Sequence, residues 1–590
     1  MPNEPSVLGP ELESHIREIL ETCRTHMASI SIRTLRNDDI QTEHEMRTLV
    51  ASRQAGHEEY TVSTEGKELF HIASITKILV AVAVIIAVEV KAVEDRSDNP
   101  YDRFKDIQNV AVTKLYNQYN EARIGGLRGN PTIYNLLVHS YGLPSTNQYM
   151  LGPAETPIML AEEVPKDLLR HIAPSKANVD TYMPKTQYSN TNYSVVAMII
   201  ETLWGGGLDT FMNETLFRPL GMKSTSIGFP SNRNTEMSGW VVDSKGESHE
   251  IIKPRHLASG AEAGALGAYS TAEDLDIFYK FLLDSFHQRE VIEGVDLEVI
   301  GIMTKMTMES TNAIDFTPLG LYTTLDTSTV GAMSVNRRQF PDKHFSTYPV
   351  MPGSSGKESG VFTMAGSAIG CYCATAFCPS KTKENFSVVV LTDTSGPVDS
   401  ADHILRLILQ NIAQRRRPDS RSRLGKQPEI VGEMAKQAMA QSLKEWEKAR
   451  EADAKYIGKA PRVDRNIVGV FKEKDVGQRL YIHKEDDGKT YMTVGGSTVS
   501  LIDKPCELVW IDQNSLKMCI PQHLSIDTLV NCDWSNLVFN IKGQDHMVQE
   551  LTRKVGDRED HFLSLNPSQT LLASILFVVP KIDFQTTAPP

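Results

Sequence analysis

The sequence predicts an α/β sandwich followed by a small antiparallel β-barrel, and three patterns support this fold class. Strand-like segments stand at both ends of residues 28–412, with a long and mostly helical middle between them. A basic, proline-bearing stretch and then a charged helix occupy residues 413–462. From residue 463 to residue 590, short alternating runs recur with glycine and aspartate between them, which is the pattern of a β-barrel or meander.

The length of the chain limits the number of domains that it can form. At 590 residues it is long enough for two or three domains, since a domain usually holds about 100–200 residues. We expect an N-terminal helical lead-in over residues 1–27, a catalytic domain over 28–412, a basic linker with a charged helix over 413–462, and a barrel-like domain over 463–590.

Charge and composition exclude several function classes. The formal net charge is −13, from 61 Lys and Arg against 74 Asp and Glu, which disfavours nucleic acid as a partner. The first twenty residues are acidic and lack the charged-then-apolar pattern of a signal peptide, so we expect a cytoplasmic protein. The seven cysteines form no Cys-x-x-Cys pair and the 16 histidines no His-x-His or His-Glu-x-x-His motif. We therefore expect neither a metal site nor a cofactor.

Three apolar stretches predict the strands of the sandwich. ASISIRTL, from Ala28, predicts a strand between the edge and the centre of the sheet. Near the end of the domain, GVFTMAGSAIGCYCATAFCP and NFSVVVLTDT predict two strands joined by a polar turn. The sheet is thus expected to be closed by strands from both ends of the domain.

A Ser-x-x-Lys pair opens the first long helix. The spacing occurs three times, but the pairs at Ser354 and Ser380 lie in polar, glycine- or proline-flanked stretches that predict loops. Only Ser74 and Lys77 precede an aliphatic run of about three turns, which is shorter than the roughly 20 residues that a bilayer requires. This run predicts a buried helix and no membrane partner.

The placement of this pair suggests nucleophilic chemistry. Residues three apart share one face of a helix, so the Lys77 amine can approach the Ser74 hydroxyl. Burial disfavours the charged form of a lysine and lowers its pKa. A neutral amine beside a serine is a base beside a nucleophile. The alternative is a capping serine with a lysine whose amine reaches solvent.

A second candidate set lies in KTQYSNTNYSVVAMIIE. Here Tyr188 and Asn190 stand just before an apolar helical run. A tyrosine in such a loop can transfer a proton, and an asparagine can orient a lysine or a substrate carbonyl. Tyrosine and asparagine are also ordinary turn residues, which is the alternative for this motif.

Five segments in this order resemble the serine β-lactamase-related proteins. That family includes class C β-lactamases, D-specific peptidases, esterases and acyltransferases. The segments are FHIASITK, LLVHSYGLP, YSNTNYSVVAMIIE, LFRPLGMKSTSIGF and GALGAYSTAEDLDIFYKFL. The resemblance covers roughly residues 28–400 and implies a β-lactamase/transpeptidase-like α/β sandwich.

The resemblance also implies roles for individual residues. Ser74 would be the acylated nucleophile and Lys77 its general base. Tyr188 would exchange protons with the leaving group or the incoming acceptor. Asn190 would orient Lys77 or the substrate carbonyl.

The third motif of the family, Lys-Thr-Gly or His-x-Gly, is altered in this chain. It aligns with Met364, Ala365 and Gly366 in VFTMAGSAIG. Gly366 is retained, so the strand can approach a substrate closely, and the N–H of Ser367 can pair with that of Ser74 as an oxyanion hole. Met364 cannot bind a substrate carboxylate, which favours an uncharged acyl substrate.

The barrel region is similar to the lipocalin-like barrels that some family members carry after the hydrolase domain, in this chain in GVFKEKDVGQRLYIHKEDDGKTYMTVGG. It either shapes the mouth of the active site, pairs subunits, or only adds stability.

The sequence as a whole predicts a serine hydrolase or acyltransferase. It would form a Ser74 acyl-enzyme with an uncharged small-molecule ester, thioester or amide, with a role in secondary metabolism. The alternatives are a catalytically inactive binding or scaffold protein, for which Met364 is the evidence, and a D-amino-acid-specific peptidase.

Overall fold

A computed structural model of the protein describes most of the catalytic and barrel regions. The described residues are 7–35, 42–51, 66–92, 100–112, 114, 130–144, 146–153, 155–169, 186–231, 237–243, 245–287, 300–301, 316–324, 331, 333–338, 361–379, 385–415, 427–454, 467–495, 505–519, 534, 537–542, 548–555 and 558–565. The Ser354–Lys357 and Ser380–Lys383 pairs, which predict loops, lie outside these residues.

The α-helices of the described residues all precede the strands of the C-terminal region. They are α1 (Pro10–Thr22), α2 (Thr76–Ala92), α3 (Pro100–Asn109), α4 (Ile133–Leu137), α5 (Asn147–Met150), α6 (Asn190–Trp204), α7 (Leu208–Met212), α8 (Arg218–Leu220), α9 (Ala263–Leu266), α10 (Ala272–His287), α11 (Ser400–Arg415) and α12 (Gln427–Ala454). Shorter 3-10 turns cover Ala73–Ile75, Ala161–Glu163 and Val335–Arg338, and π-helical turns cover Val164–Leu168 and Asn213–Phe217.

The strands fall into two groups, one before and one after residue 400. Those of the catalytic region are β1 (Met27–Leu35), β2 (Thr42–Val50), β3 (Phe70–His71), β4 (Ser226–Ile227), β5 (Ser238–Val242), β6 (Ser248–Ile252), β7 (Ala268–Ser270), β8 (Tyr322–Thr324), β9 (Val361–Ala368), β10 (Cys371–Cys378), β11 (Asn385–Thr392) and β12 (Thr394–Ser395). Those of the C-terminal region are β13 (Gly469–Glu473), β14 (Arg479–Lys484), β15 (Thr490–Gly495), β16 (Cys506–Trp510), β17 (Ser515–Cys519), β18 (Val538–Lys542), β19 (Glu550–Val555) and β20 (Arg558–Ser564).

The main sheet joins strands from both ends of the catalytic region. Its order is β2-β1-β11-β10-β9-β8, and β1 pairs antiparallel with β11 so that Ile30 lies opposite Val390. The predicted strand from Ala28 therefore lies one position in from the edge of the sheet. Two further sheets of three strands each, β12-β5-β6 and β3-β7-β4, lie beside it.

One strand prediction requires a correction. The stretch 360–379 predicts a single strand, but the structure forms two, β9 and β10, joined at Ile369 and Gly370. Gly370 has φ +73°, a left-handed conformation that glycine adopts without the steric cost that a Cβ carries. This turn reverses the chain where hydrophobicity continues without interruption.

Helices cover both faces of the main sheet. On one face α1, α11 and α12 enclose an apolar core with residues such as Ile30, Val390 and Leu405. On the other face α10 packs on β1 and β11, and α2 and α6 pack together beyond it. Helix α2 thus lies inside the larger of the two apolar clusters.

Helix α2 is apolar on all sides and buried, as the sequence predicts. The helix is longer than the aliphatic run suggested: the 18 residues Ala73–Val90 are long and apolar enough to cross a membrane, which corrects the expectation about length. Of this window 94% is buried inside the protein, as expected of a buried helix. The helical segments Asn190–Trp204 and Leu208–Leu220 meet at an angle of 77° and together are also long and apolar enough to cross a membrane. Core helices of globular proteins share this length and apolar composition, and the burial of α2 agrees with a core helix.

The C-terminal strands form a closed, eight-stranded antiparallel barrel. Each of β13 to β20 pairs with its neighbour in sequence, and β20 closes on β13 with Phe471 opposite Ser564. Along β14 buried and half-exposed residues alternate, as expected for a strand with one face in the barrel interior. The predicted α/β sandwich with a C-terminal lipocalin-like barrel is therefore confirmed.

Candidate active site

Ser74 lies in a tight turn between a strand and a helix. Strand β3 leads into the 3-10 turn Ala73–Ile75, and α2 begins at Thr76. Ala73 has φ +45°, a left-handed conformation that costs energy for a residue with a Cβ and is frequent at functional sites. The Thr76 hydroxyl holds the turn, since it donates to Ala73 O (2.6 Å) and accepts from Ala268 N (3.0 Å).

Lys77 contacts the nucleophile from one side. Its Nζ lies 3.1 Å from Ser74 Oγ and 2.7 Å from the carbonyl oxygen of Ala265, on α9. The side chain is completely buried, and this burial lowers the pKa of Lys77 well below the usual value for lysine. A neutral amine in this position donates to Ala265 O and has a lone pair available for the Ser74 proton.

Tyr188 contacts the nucleophile from the other side. Its hydroxyl lies 2.7 Å from Ser74 Oγ, and Lys77 Nζ stands 4.9 Å from the centre of its ring. Burial raises the pKa of Tyr188 above that of a free tyrosine, more than the Ser74 contact lowers it. The phenol is therefore neutral at physiological pH and carries a proton that it can donate.

His139 holds the Tyr188 loop in place. Its Nδ1 accepts from the backbone N–H of Ser189 (3.2 Å) and lies 3.2 Å from Asn192 Nδ2, and its carbonyl oxygen accepts from Gln187 N (3.0 Å). An Nδ1 that accepts leaves the ring proton on Nε2. Burial, and secondarily Lys77, lowers the pKa of His139, so the ring is neutral. Its centre lies 4.7 Å from that of Tyr188.

Asn190 does not form the hydrogen bond to Lys77 that was one of its two predicted roles. The hydrogen bonds of Lys77 lead to Ser74 and Ala265, whereas Asn190 Nδ2 donates to Asn147 Oδ1 (3.0 Å). Asn190 Oδ1 is buried and has no hydrogen-bond partner among the described residues. An orienting bond to Lys77 is thus not formed, and contact of Asn190 with the substrate carbonyl stays a prediction.

Strand β9 runs past the start of the nucleophile turn. A Cβ added to Gly366 would lie 2.6 Å from Ile72 O and 3.3 Å from Ser74 N, so only glycine allows this approach. Ser367 follows on the same strand, where the described pairing with β8, at 361–363, has ended. Its role in an oxyanion hole with Ser74 N stays a prediction.

Met364 lies in the apolar core rather than on an open surface. It is 1% exposed and belongs to the same cluster as helix α2. It stands opposite Thr375 of β10, whose hydroxyl accepts from Tyr279 OH (2.7 Å). The side chain at this position offers no charge and no hydrogen-bond donor.

Three contributors to this site were not identified as such in the sequence. They are the ring of His139, the amide of Asn147 and the carbonyl of Ala265. His139 and Ala265 fall within the family-like segments, which was an available signal. Asn147 lies in a polar stretch with no periodicity, and a backbone carbonyl has no sequence signature.

A metal-like cluster lies elsewhere in the structure. Within the ranges described, the residues with suitably close ligand atoms are Asp243, Glu247 and His249, on the hairpin of β5 and β6. Asp243 Oδ1 already accepts from the backbone N–H groups of Lys245 (2.8 Å) and Glu247 (2.9 Å), so this carboxylate stabilises the turn. The cluster does not contribute to the site at Ser74.

The arrangement at Ser74 brings together a hydroxyl, an amine and a phenol. One hydroxyl oxygen is contacted by a desolvated amine and by a protonated phenol, beside a strand that approaches within contact distance. These are the groups required to transfer an acyl group to a serine and to protonate its leaving group.

Several solved structures are similar to this chain. The penicillin-binding protein homologue from Pyrococcus abyssi matches with a TM-score of 0.45 and 18% identity, over 94% of this chain and 99% of its own. The D-amino acid amidase from Ochrobactrum anthropi SV3 matches with a TM-score of 0.44 and 18% identity, over 69% of this chain and 99% of its own. The β-lactamase/D-alanine carboxypeptidase from Pseudomonas syringae matches with a TM-score of 0.44 and 14% identity, over 68% and 97%.

The sequence itself also matches a family model. No curated protein matches the chain. The model described as Beta-lactamase matches residues 24–411, which is more than half of the chain and includes Ser74, Lys77, Tyr188 and the strand of Gly366. The chain therefore belongs to the β-lactamase family.

Proposed function

We propose that this protein is a serine hydrolase or acyltransferase that forms an acyl-enzyme on Ser74 with an uncharged ester, thioester or amide. The observation that carries the proposal is the convergence of Lys77 Nζ and Tyr188 OH on Ser74 Oγ, at 3.1 and 2.7 Å. A cytoplasmic location and a role in secondary metabolism belong to the same proposal and rest on the sequence alone.

The reaction follows from the protonation states of the three groups. Ser74 Oγ attacks the substrate carbonyl carbon while its proton passes to the neutral amine of Lys77. The N–H groups of Ser74 and Ser367 stabilise the oxyanion. When the carbonyl re-forms, the bond to the leaving group breaks and that group takes the proton of Tyr188, which Lys77 then reprotonates. Water or another acceptor attacks the Ser74 ester by the reverse of these steps.

The preference for an uncharged substrate rests on Met364. A cation or imidazole at this position would pair with a substrate carboxylate, and a hydrogen bond to a charged group contributes about 1.5–3 kcal/mol. Met364 is an apolar thioether in the core. We therefore expect short esters such as p-nitrophenyl acetate or butyrate to be better substrates than penicillins, cephalosporins or D-alanyl peptides.

The proposal is tested by labelling with a fluorophosphonate probe and by ester turnover. Ser74→Ala should abolish both while the protein stays folded, because it removes one oxygen. Lys77→Ala should also be inactive, and Tyr188→Phe should lose roughly 10²–10⁴-fold in turnover, the range for a removed general acid or base.

Ser285→Ala is a matched control for these variants. Ser285 is a buried serine on α10 that donates to Phe281 O (2.8 Å), so its replacement should leave labelling unchanged. A wild-type protein that neither labels nor cleaves any ester would support the inactive scaffold instead. Full turnover by Ser74→Ala would show that the nucleophile is another residue.

A further inference from the structure

Residues 146–151 connect the active site to the C-terminal barrel. They comprise α5 and the residue on either side of it. On the active-site side, Asn147 Oδ1 accepts from Asn190 Nδ2 (3.0 Å), and the Thr146 hydroxyl is hydrogen-bonded to that of Thr191. Asn190 and Thr191 begin α6, directly after the loop of Tyr188, and we call these two residues the substrate-binding wall. A shift of residues 146–151 would therefore move this wall, which lies next in sequence to the Tyr188 loop.

Side chains of the barrel bond the other side of the same segment. The Tyr149 hydroxyl donates to Asp560 Oδ1 (2.6 Å). Gln478 Nε2 donates to the carbonyl oxygen of residue 148 (2.6 Å), and Trp534 Nε1 donates to that of residue 151 (3.1 Å). Three bonds within four residues tie this segment to Gln478, directly before β14, to Asp560 of β20 and to Trp534.

The barrel groups that make these bonds are themselves held rigidly. Asp560 Oδ2 accepts from Arg553 Nε (3.0 Å), and Arg553 Nη2 donates to Gln478 Oε1 (2.7 Å). Arg553 and Asp560 are both completely buried, and the guanidinium lies 5.0 Å from the ring centre of Trp534 and 5.5 Å from that of Tyr149. Arg553 Nη1 is buried without a hydrogen-bond partner among the described residues. Breaking a buried ion pair is nevertheless costly, because it leaves an uncompensated charge, so the position of the pair is well defined.

We propose that the barrel positions the substrate-binding wall of the active site through Tyr149 and residues 146–151. Tyr149, Asp560 and Arg553 are positioning residues, because they act on the substrate through Asn147 and Asn190. The inference rests on the acyl-enzyme function proposed above. It assigns the barrel an indirect part in substrate binding, in place of an inert stabilising role.

Tyr149→Phe tests this coupling with the least disturbance. It removes one hydroxyl and leaves the Arg553–Asp560 pair intact. Tyr491→Phe is the matched control, because it removes a Tyr–Asp hydrogen bond of the same barrel (Tyr491 OH to Asp487 Oδ2, 2.8 Å) on an exposed surface away from the segment. Thermal unfolding midpoints of both variants show whether the barrel stays folded.

Two esters separate positioning from general damage. p-Nitrophenyl acetate offers only the carbonyl that Ser74 attacks, which the proposed oxyanion hole receives. The p-nitrophenyl ester of N-acetylglycine carries in addition an amide that Asn190 can bond. For Tyr149→Phe we expect KM for the N-acetylglycyl ester to rise about 10-fold, and both constants for the acetate to stay within about 2-fold. Tyr491→Phe should leave all four constants within about 2-fold of the wild type.

The opposite results would overturn the inference. Equal constants for Tyr149→Phe and Tyr491→Phe would show that the barrel does not position the wall. A loss of kcat on both esters with unchanged KM would show only a smaller amount of folded enzyme.

Hydrogen–deuterium exchange separates a failure of this inference from a failure of the proposed function. In Tyr149→Phe, amides of residues 146–151 and 189–192 should exchange faster than in Tyr491→Phe, whether or not the protein is an active enzyme. If the wild type cleaves neither ester but exchange shows this difference, the acyl-enzyme function fails and the positioning by the barrel stands. Equal exchange in the two variants would refute the positioning.

Discussion

Lys77 shows how burial alone changes the protonation of a side chain. Its amine is completely buried, and the pKa is lowered by desolvation, with no neighbouring charge needed. In the proposed mechanism the neutral form is the active one, so acylation should be lost as the pH falls below the lowered pKa and should be complete above it. The rate of acylation should rise with pH in this way for any reaction in which Lys77 takes the Ser74 proton.

The pH dependence of acylation tests this state. We expect the single-turnover rate with p-nitrophenyl acetate to have reached its plateau by about pH 9, more than a unit below the ~10.4 of a free lysine. Ser74→Ala serves as the blank at each pH, because it removes the nucleophile and leaves the spontaneous hydrolysis. A rate that rises only above about pH 10 would contradict a neutral Lys77.

Met364 sets a prediction about specificity. Met364→His should shift the ratio of kcat/KM values toward a cephalosporin and away from p-nitrophenyl butyrate by roughly 10-fold or more, the equivalent of ~1.4 kcal/mol. The ratio is the proper measure, because a polar group at this buried position also lowers the amount of folded enzyme, which affects both substrates equally. Met364→Leu is the control and should leave the ratio unchanged.

The outcome for the wild type is equally informative. If the unaltered protein already prefers the cephalosporin, another residue binds the carboxylate, and the correspondence of Met364 with the third motif of the family is wrong.

At the scale of secondary-structure elements, the site depends on the close approach of a strand to a turn. Strand β9 passes the turn of Ser74 at Gly366, where a side chain would lie 2.6 Å from Ile72 O. Since the obstructing atom belongs to the backbone, the strand and the turn would have to separate. The geometry between the nucleophile and the predicted oxyanion hole is thus set by the absence of a single Cβ.

Gly366→Ala is the corresponding prediction. We expect kcat/KM to fall by about 10²-fold, the effect of a displacement near 1 Å, and the free energy of unfolding to fall by about 1–3 kcal/mol from overpacking. Ester kinetics and urea unfolding measure the two effects. Ala365→Ser, at the adjacent and partly exposed position of β9, should change neither. An active Gly366→Ala variant would show that β9 is not part of the catalytic geometry.

At the scale of the whole molecule, the barrel and the catalytic region share one apolar cluster. Residues of the barrel interior, such as Phe562, belong to the same cluster as those of α2 and α6. Within it lies the pair of Arg553 and Asp560, with 2.9 Å between Nη2 and the carboxylate. The barrel therefore encloses a charged centre rather than an entirely apolar one.

Removing one member of this pair should destabilise the barrel strongly. Asp560→Asn leaves the Arg553 charge buried without its partner, and such a change costs about 3–5 kcal/mol. The urea midpoint of the barrel, followed by tryptophan fluorescence, should fall accordingly. Glu507→Gln removes the exposed pair with Lys489 (2.9 Å) in the same barrel and should leave the midpoint unchanged. Equal midpoints for the two variants would show that the buried pair contributes no more than an exposed one.

The sequence by itself determined those features of this protein that depend on local periodicity. The approach of Lys77 to Ser74 follows from a spacing of three on a helix, which is a property of a single turn. The burial of α2 follows from an apolar run, and the barrel follows from alternation with a period of two. The hairpin at Ile369 and Gly370 was missed because hydrophobicity continues across the turn.

The contacts across the site were decided only by the tertiary structure. Tyr188 reaches Ser74 across 114 positions of sequence, and its role was inferred from resemblance rather than from spacing. Asn190 binds Asn147 instead of Lys77, Ala265 receives the lysine amine through a backbone carbonyl, and Asp560 holds Tyr149. Such contacts depend on the paths of the intervening loops and on which face of each helix meets its neighbour, and no local pattern of residues encodes either.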